Sequence, residues 1–285
     1  MTGITKKLMT AGIALVLVAA ALAAPAAAEP TGEFAEFKQC EYENKEISTC
    51  IHFVFNSGTI QIGKKAIPLK NPITLQGSLT PEADLLHGAT SGETLSKTPQ
   101  PVPGGLVGVT APTWWPPFLQ SQFNEQIGTG MTGINATLEL AGPTKGLTNV
   151  TLNTENLLFE EGTALTLPVK IHLDSSVLGS NCYIGSDSQP VHLQFTTGTS
   201  GGLKGSAGEL TFNEEFTIAD IAGVRLVDNT FAVPGAKGCG GIFSAFYDPL
   251  INSLFGLPSA SGKNHAVLEG TLTEADREEV FLSGP

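Results

Sequence analysis

The stretch "ALTLPVKIHLD", Ala164 to Asp174, alternates apolar and polar residues along its length. Leu165, Leu167, Val169, Ile171 and Leu173 fall on one side; Thr166, Pro168, Lys170, His172 and Asp174 fall on the other. Side chains of a β-strand point to opposite faces in turn, so this stretch predicts a strand with one buried and one solvated face. Such strands belong to antiparallel sheets that face water on one side. Pro168 has no backbone N–H, which suggests an edge position or a bulge.

The same period runs outward through the chain. "GINATLEL" places Ile134, Ala136, Leu138 and Leu140 inward, and "PVHLQF" does the same with Val191, Leu193 and Phe195. "TCIHFVF", "GTIQIG", "PITLQGSL", "GVRLVDNTF" and "HAVLEGTL" are further candidate strands. The chain carries 33 Gly and 18 Pro, which favour turns and short strands over long helices. The expected fold is therefore mainly β: an antiparallel β-sandwich or a barrel-like sheet with one or two short helices.

One helix is marked in "YDPLINSLFGLP". Asp248 suits an N-cap, Pro249 the first helical position and Gly256 the end, while Pro258 prevents a restart. Leu250, Ile251, Leu254 and Phe255 would form its apolar stripe against the sheet. "PPFLQSQFNEQI" reads as a second, shorter helix beginning near Pro117. Residues 88–117 break the pattern and read as a long loop or irregular insertion. "IGKKAIPL" (Ile62 to Leu69) and "IGSDSQPV" (Ile184 to Val191) share a faint echo, which common turn residues explain without a duplication.

The first 28 residues read as a secretory signal rather than part of the fold. Lys6 and Lys7 precede an apolar run, and Ala26, Ala27 and Ala28 offer a cleavage site before Glu29. The alternative is an uncleaved anchor, since the run nearly reaches bilayer length. Residues 29–285 would then form a single secreted, disulfide-stapled domain. The formal net charge is −12, and loss of Lys6 and Lys7 makes it −14 (−12 − 2). That acidity argues against nucleic acid or anionic lipid as a partner, because a phosphate backbone calls for clustered Lys and Arg.

The chain has 4 cysteines, an even number that reads as disulfides in an exported protein. Of three pairings, proximity favours Cys40–Cys50 with Cys182–Cys239. Loop entropy gives about 3 kcal/mol for the short loop and about 4 kcal/mol for the long one. No C-x-x-C occurs and no His stands at ligand spacing from a Cys, so no metal is expected.

"GTSGG", Gly198 to Gly202, matches the looser form of a serine nucleophile motif. A nucleophilic Ser200 needs a His base and an orienting carboxylate, and His192, His172 and Asp174 are the candidates. An esterase elbow needs a strand, a turn and a helix, but "GGLKGSAGELTF" continues as loop and strand. "GTSGG" therefore reads as a turn. No other enzyme motif and no cofactor motif appears. Asp187 in "GSDS" reads as a turn former, and Asn135 and Asn149 head glycosylation sequons that are expected to stay unmodified, since the signal-like N-terminus has a bacterial look. Trp114 and Trp115, the only 2 tryptophans, are the aromatic candidates for ligand contact, weighed against simple packing.

The blocks "LGSNCYIGSDSQPVHLQFTTGT", "VDNTFAVPGAKGCGG" and "DPLINSLFGLPSASGKNHAVLEGTL" resemble a group of uncharacterised secreted proteins of high-GC Gram-positive bacteria. "FAEFKQCEYENKEISTC" and "IQIGKKAIPL" extend the resemblance over most of residues 29–285. It implies export, and it places Cys182 and Cys239 in the group's recurrent blocks; it implies no activity or cofactor. The functional expectation is a non-enzymatic binding or scaffold protein, extracellular or associated with the cell wall, with a cell-surface component as partner. The rivals are a secreted serine hydrolase using Ser200 and a carrier of an apolar ligand.

Overall fold

The structure, a computed structural model, describes residues 29–81, 83–129 and 132–284, so the expected signal segment 1–28 lies outside the described residues. In the first half the strands are β1 (Thr49–Ile62), β2 (Lys65–Pro68), β3 (Ile73–Thr80), β4 (Ala83–Gly88), β5 (Gln100–Pro101), β6 (Asn135–Leu140) and β7 (Gly146–Leu152). The second half adds β8 (Leu165–Asp174), β9 (Tyr183–Ile184), β10 (Val191–Phe195), β11 (Thr199–Ser200), β12 (Leu203–Lys204) and β13 (Glu209–Phe212). It closes with β14 (Ile218–Asp228), β15 (Ala236–Lys237) and β16 (His265–Asp276). The helices are short: α1 (Pro117–Thr129), α2 (Thr154–Phe159), α3 (Ser244–Phe255) and α4 (Arg277–Leu282).

The fold is mainly β and antiparallel. The main ladder runs β13-β14-β16-β1-β3-β4-β7-β8-β6-β5, with β2, β9, β10 and β15 attached beside it, and β11–β12 form a separate hairpin. It does not close into a barrel. Strands far apart along the ladder nevertheless share one core: Phe53 of β1, Leu75 of β3, Leu167 of β8, Leu193 of β10 and Leu226 of β14 are buried in a single cluster. The sheet therefore curls around its apolar face. Two backbone hydrogen bonds between Thr196 and Val227, 3.0 and 2.9 Å, pin the end of β10 to β14 across the curl.

The alternation at 165–174 is realised except at Pro168, which is buried on the side expected to face solvent. Leu165, Leu167, Val169, Ile171 and Leu173 are all buried. The edge position expected from Pro168 is not. β8 is flanked on both sides, by β7 and β6 along one edge and by β10 and β9 along the other. Pro168 stands where the first edge changes partner, between Thr166 opposite β7 and Val169 opposite β6. Its carbonyl accepts from Ala141 N at 3.0 Å, and at this seam the ladder asks for no further N–H.

"TCIHFVF" and "GTIQIG", two candidates in the sequence, form the single 14-residue strand β1. It is bent by a register shift between Phe55 and Ser57, and β14 shifts between Ala222 and Val224 at the same level of β16. Gly270 of β16 faces both bulges, and a Cβ there would lie 2.0 Å from Val54 O. The sharp curvature thus needs a residue without a side chain at that point. Residues 89–116 carry only β5 and a 3-10 turn at Gly105–Val107. The echoed segments close different connections: Ile62 to Leu69 is the β1–β2 hairpin, whereas β9 and β10 both pair with β8.

Cys40–Cys50 staples a second, smaller cluster on the outer face of β1, where Phe34, Phe37, Ile47, Ile218 and Val280 are buried. Cys182–Cys239 joins the approach to β9 to the Gly-rich bend before α3.

Candidate functional site

Helix α3 begins one turn earlier than its sequence signals indicate, at Ser244, and is preceded by a 3-10 turn at Gly241–Phe243. Asp248 is not its N-cap. Its carboxylate instead accepts from Cys239 N at 2.8 Å and Gly238 N at 3.3 Å, holding the bend ahead of the helix. Pro249 therefore lies inside the helix. The C-terminus is as expected: Gly256 takes a left-handed φ of 70° and its N–H bonds Asn252 O.

Four further ties fix the helix. Asn252 Oδ1 accepts from Ala236 N at 2.7 Å and its Nδ2 donates to Ala236 O at 3.2 Å. Lys64 N donates to Phe255 O at 2.7 Å. Ile251 and Phe255 are buried in the core. Cys182–Cys239 anchors the bend covalently.

With that inner side committed, the other side is left in solvent. Ile242 is 93 % exposed, Phe243 63 %, Phe246 66 % and Leu250 42 %. The expected burial of Leu250 with its neighbours does not occur: Ile251 and Phe255 face the core and Leu250 faces solvent, in the rotation that Asn252 and Asp248 hold. Beside this face lies the turn Gly105–Val107. A Cβ at Gly108 would come 2.7 Å from Leu254 Cδ1, which places the segment against α3. Val107 and Val109 flank that contact and are exposed.

The segment continues to the tryptophans. Trp114 is 80 % exposed, whereas Trp115 is partly covered and packs edge-on to Phe123 with centroids 5.5 Å apart. Phe118 is exposed at the start of α1. Trp114 was the aromatic contact candidate visible in the sequence. Phe243 and Phe246 were missed, although the spacing Phe243, Phe246, Leu250 is itself the signal of one helical face.

Lys64 is exposed and lies along Gly256 at the end of α3, whereas Lys237, also exposed, stands on β15 opposite Tyr183 of β9. Lys65 Nζ donates to Pro103 O at 3.2 Å, and burial pulls this ammonium below the usual lysine range.

The hydrolase candidates are distributed otherwise. Ser200 is buried in the β11–β12 hairpin; its Oγ donates to Asn229 Oδ1 at 3.2 Å and accepts from Asn229 N at 2.9 Å. Gly201 follows at φ 57°, and a Cβ there would lie 2.0 Å from Asn229 Nδ2. "GTSGG" thus supplies a turn that lets Asn229 approach. His192 projects from β10 into solvent opposite Pro168. Asp174 is exposed at the end of β8.

His172 stacks on Tyr183 at 4.7 Å with Nδ1 3.9 Å from Glu139. Burial, with the Glu139 carboxylate, raises the Tyr183 hydroxyl above its ordinary range, and Lys170 opposes the rise. Asp187 accepts from Lys170 Nζ at 3.0 Å and Gly142 N at 3.1 Å, and these bonds hold its carboxyl below the usual range. That outer-face cluster is tied together by its own contacts.

Between the β1–β2–β3 layer and β6–β8, an apolar gap lined by Ile60, Ile67, Leu138 and Ile171 has a volume of about 20 Å³. That is room for a water, whereas a small-molecule pocket takes about 300–1,000 Å³. Among the described residues no group of three His, Cys, Asp or Glu could hold a metal ion, and no helix is long and apolar enough to cross a membrane. No family model, no curated protein and no solved structure matches the chain.

Proposed function

We propose that the protein is an exported, non-enzymatic binding or scaffold protein that works at the cell envelope or outside it. The observation that carries this reading is the exposed aromatic face of α3 and its preceding turn, with Phe243 and Phe246 63 % and 66 % exposed. Solvent-facing aromatics gathered on one helix face mark a contact surface, since isolated apolar residues are the rule on monomer surfaces. The signal-like N-terminus, the two disulfides and the resemblance to secreted bacterial proteins support an oxidising, extracellular setting. Engagement of Ser200 Oγ with Asn229 supports a non-catalytic role for "GTSGG".

The test is co-sedimentation of the exported protein with envelope fragments of a high-GC Gram-positive bacterium. The expected result is retention of the protein in the pellet, with loss to the supernatant on Phe243→Ser/Phe246→Ser. Equal recovery in the supernatant for both proteins overturns the reading. So does ester hydrolysis by the purified protein that disappears in Ser200→Ala.

A further inference from the structure

Strand β13 ends the main ladder and, among the described residues, pairs on one side only, with β14. Its register sets Leu210 opposite Ile221 and Phe212 opposite Ala219. Ile221 lies in turn opposite Leu272, and Leu272 opposite Phe53, all three buried in the core. Leu210 and Phe212 thus continue the apolar face of the sheet one strand beyond its core, and they are 40 % and 51 % exposed. Asn213 N donates to Ile218 O at 3.1 Å, which fixes the alternation of the hairpin. Glu209 and Thr211 turn their backbone groups to β14, and Leu210 and Phe212 turn theirs to the open edge. At the turn, Phe216 is exposed at a left-handed φ of 57°, with its ring 5.7 Å from that of Phe212. Asn213 holds this turn: its Oδ1 accepts from Thr217 N at 2.8 Å and Ile218 N at 3.1 Å, and its Nδ2 donates to Thr217 Oγ1 at 2.9 Å.

The charge around this edge has one sign. Residues 205–224 hold Glu209, Glu214, Glu215 and Asp220 and no Lys, Arg or His. Glu33 Oε2 accepts from Asn213 Nδ2 at 3.2 Å. Glu160 Oε1 accepts from Ala207 N at 3.1 Å, which brings the end of α2 to the approach of β13. Residues 146–169, which contain α2, likewise hold no Lys, Arg or His. Of the neighbouring cations, Arg225 pairs with Glu269, Arg277 donates to Tyr42 O, and Lys204 stands on β12.

We propose that β13 accepts an added strand: an extended, basic segment of a partner protein pairs antiparallel with its open edge. The inference uses no residue of the α3 face and goes beyond the reading built on that face. Residues opposite one another in an antiparallel pair share a face of the sheet. The peptide residues opposite Leu210 and Phe212 are therefore apolar, and they exchange N–H···O bonds with the two outward backbone groups. The residues between them project on the face of Glu209 and Thr211, where Lys or Arg meets the Glu209 carboxylate. Main-chain bonds give such strand addition its affinity, and alternate side chains give it specificity. Charge selects the occupant. A second copy would set its own carboxylates against Glu209, Glu214 and Glu215, and charged edges are a means by which sheets resist pairing with themselves. A basic segment is attracted by the same carboxylates and by the formal net charge of −12.

The experiment is fluorescence anisotropy of labelled octapeptides with the exported protein. One peptide alternates Lys and Val, and a second alternates Glu and Val. Two further Lys/Val peptides carry N-methyl groups, one on the Val amides and the other on the Lys amides. The Lys/Val peptide should bind about tenfold or more tightly than the Glu/Val peptide, with affinity that falls at high salt. Methylation of the Val amides should weaken binding by about tenfold or more, since it removes the donors that meet Leu210 O and Phe212 O, while methylation of the Lys amides is tolerated. Leu210→Ser/Phe212→Ser should weaken binding by about tenfold, through loss of the apolar contacts. Glu209→Lys/Glu214→Lys/Glu215→Lys should reverse the preference toward the Glu/Val peptide. All five positions are exposed, and melting curves matching the parent protein show that the variants fold.

No binding of the Lys/Val peptide, or equal binding of the Lys/Val and Glu/Val peptides, overturns the proposal. Equal effects of the two methylations reduce the contact to charge attraction without an added strand and also overturn it. Concentration-dependent dimerisation that Leu210→Ser/Phe212→Ser abolishes, with no peptide bound, identifies a second copy as the occupant and overturns it as well. Phe243→Ser/Phe246→Ser should bind the Lys/Val peptide as the parent does, and loss of binding in that variant would overturn the assignment to β13.

Discussion

The Asp248 carboxylate sits 2.8 Å from the Cys239 amide, nine residues earlier in the chain, and a second bond reaches Gly238. The residue that looks like a helix cap is thus a clamp on a disulfide-bearing bend. Asp248→Ala leaves both amides without this partner and should cost about 1–3 kcal/mol. Asp248→Asn retains an acceptor oxygen and should cost less. Urea denaturation of the three proteins checks the order.

The Cys182–Cys239 bond closes a loop with a sequence separation of 57 and holds the same bend from the other side. Cys182→Ser/Cys239→Ser should destabilise the fold by about 2–5 kcal/mol. Thermal melts measure the loss. Non-reducing peptide maps should join Cys182 to Cys239 and Cys40 to Cys50; a peptide joining Cys40 to either late cysteine contradicts the arrangement.

Glu274 of β16 is partly buried, and the resulting desolvation raises its pKa although Thr154 Oγ1 donates to its Oε1 at 2.6 Å. In the unfolded chain it ionises in the ordinary carboxylate range; in the fold it keeps its proton to higher pH. Between these two values the folded state binds more protons, so Glu274 makes stability fall as pH rises through that window. Above the folded value the penalty is complete. Glu274→Gln keeps an acceptor for Thr154 and removes the charge. Its melting temperature should exceed the parent's at neutral pH, and the difference should shrink as pH falls toward the ordinary carboxylate range.

Trp114 is 80 % exposed and Trp115 partly covered by Phe123. Acrylamide should quench Trp115→Phe, which retains Trp114, several-fold more steeply than Trp114→Phe. Equal slopes would mean that the two indoles share one environment.

Ser200 Oγ bridges the backbone N–H and the side-chain Oδ1 of Asn229, just past the end of β14. Ser200→Ala should cost about 1 kcal/mol per net hydrogen bond lost. Asn229→Ala should cost a similar amount, and the double variant less than the sum, because the two residues share the interaction. Additive losses in a double-mutant cycle would show that they act independently.

Local pattern marked β1, β3, β6, β8, β10, β14 and β16, whereas β4 and β7 of the main ladder carried no such mark. Leu165 to Leu173 alternate because successive side chains of a strand point to opposite sides, and all five expected inward residues are buried. Gly256 ends α3 for an equally local reason, its left-handed backbone. Which strands pair is a long-range matter. Pro168 sits in a central strand because the edge changes partner there, and that seam depends on β6 and β7, whose positions no window around Pro168 contains. The partner of Ser200 is 29 residues away, so its motif could not disclose an amide in place of a histidine. The candidate site divides in the same way. Trp114 stood out by composition, but the exposure of Phe243 and Phe246 follows from Asn252, Asp248 and Cys239 fixing the rotation of α3. Lys64 comes to lie along Gly256 only after the β1–β2 turn folds against Phe255. Periodicity reports on neighbours along the chain, whereas burial, charge pairing and rotation are settled by groups that tertiary contact brings together.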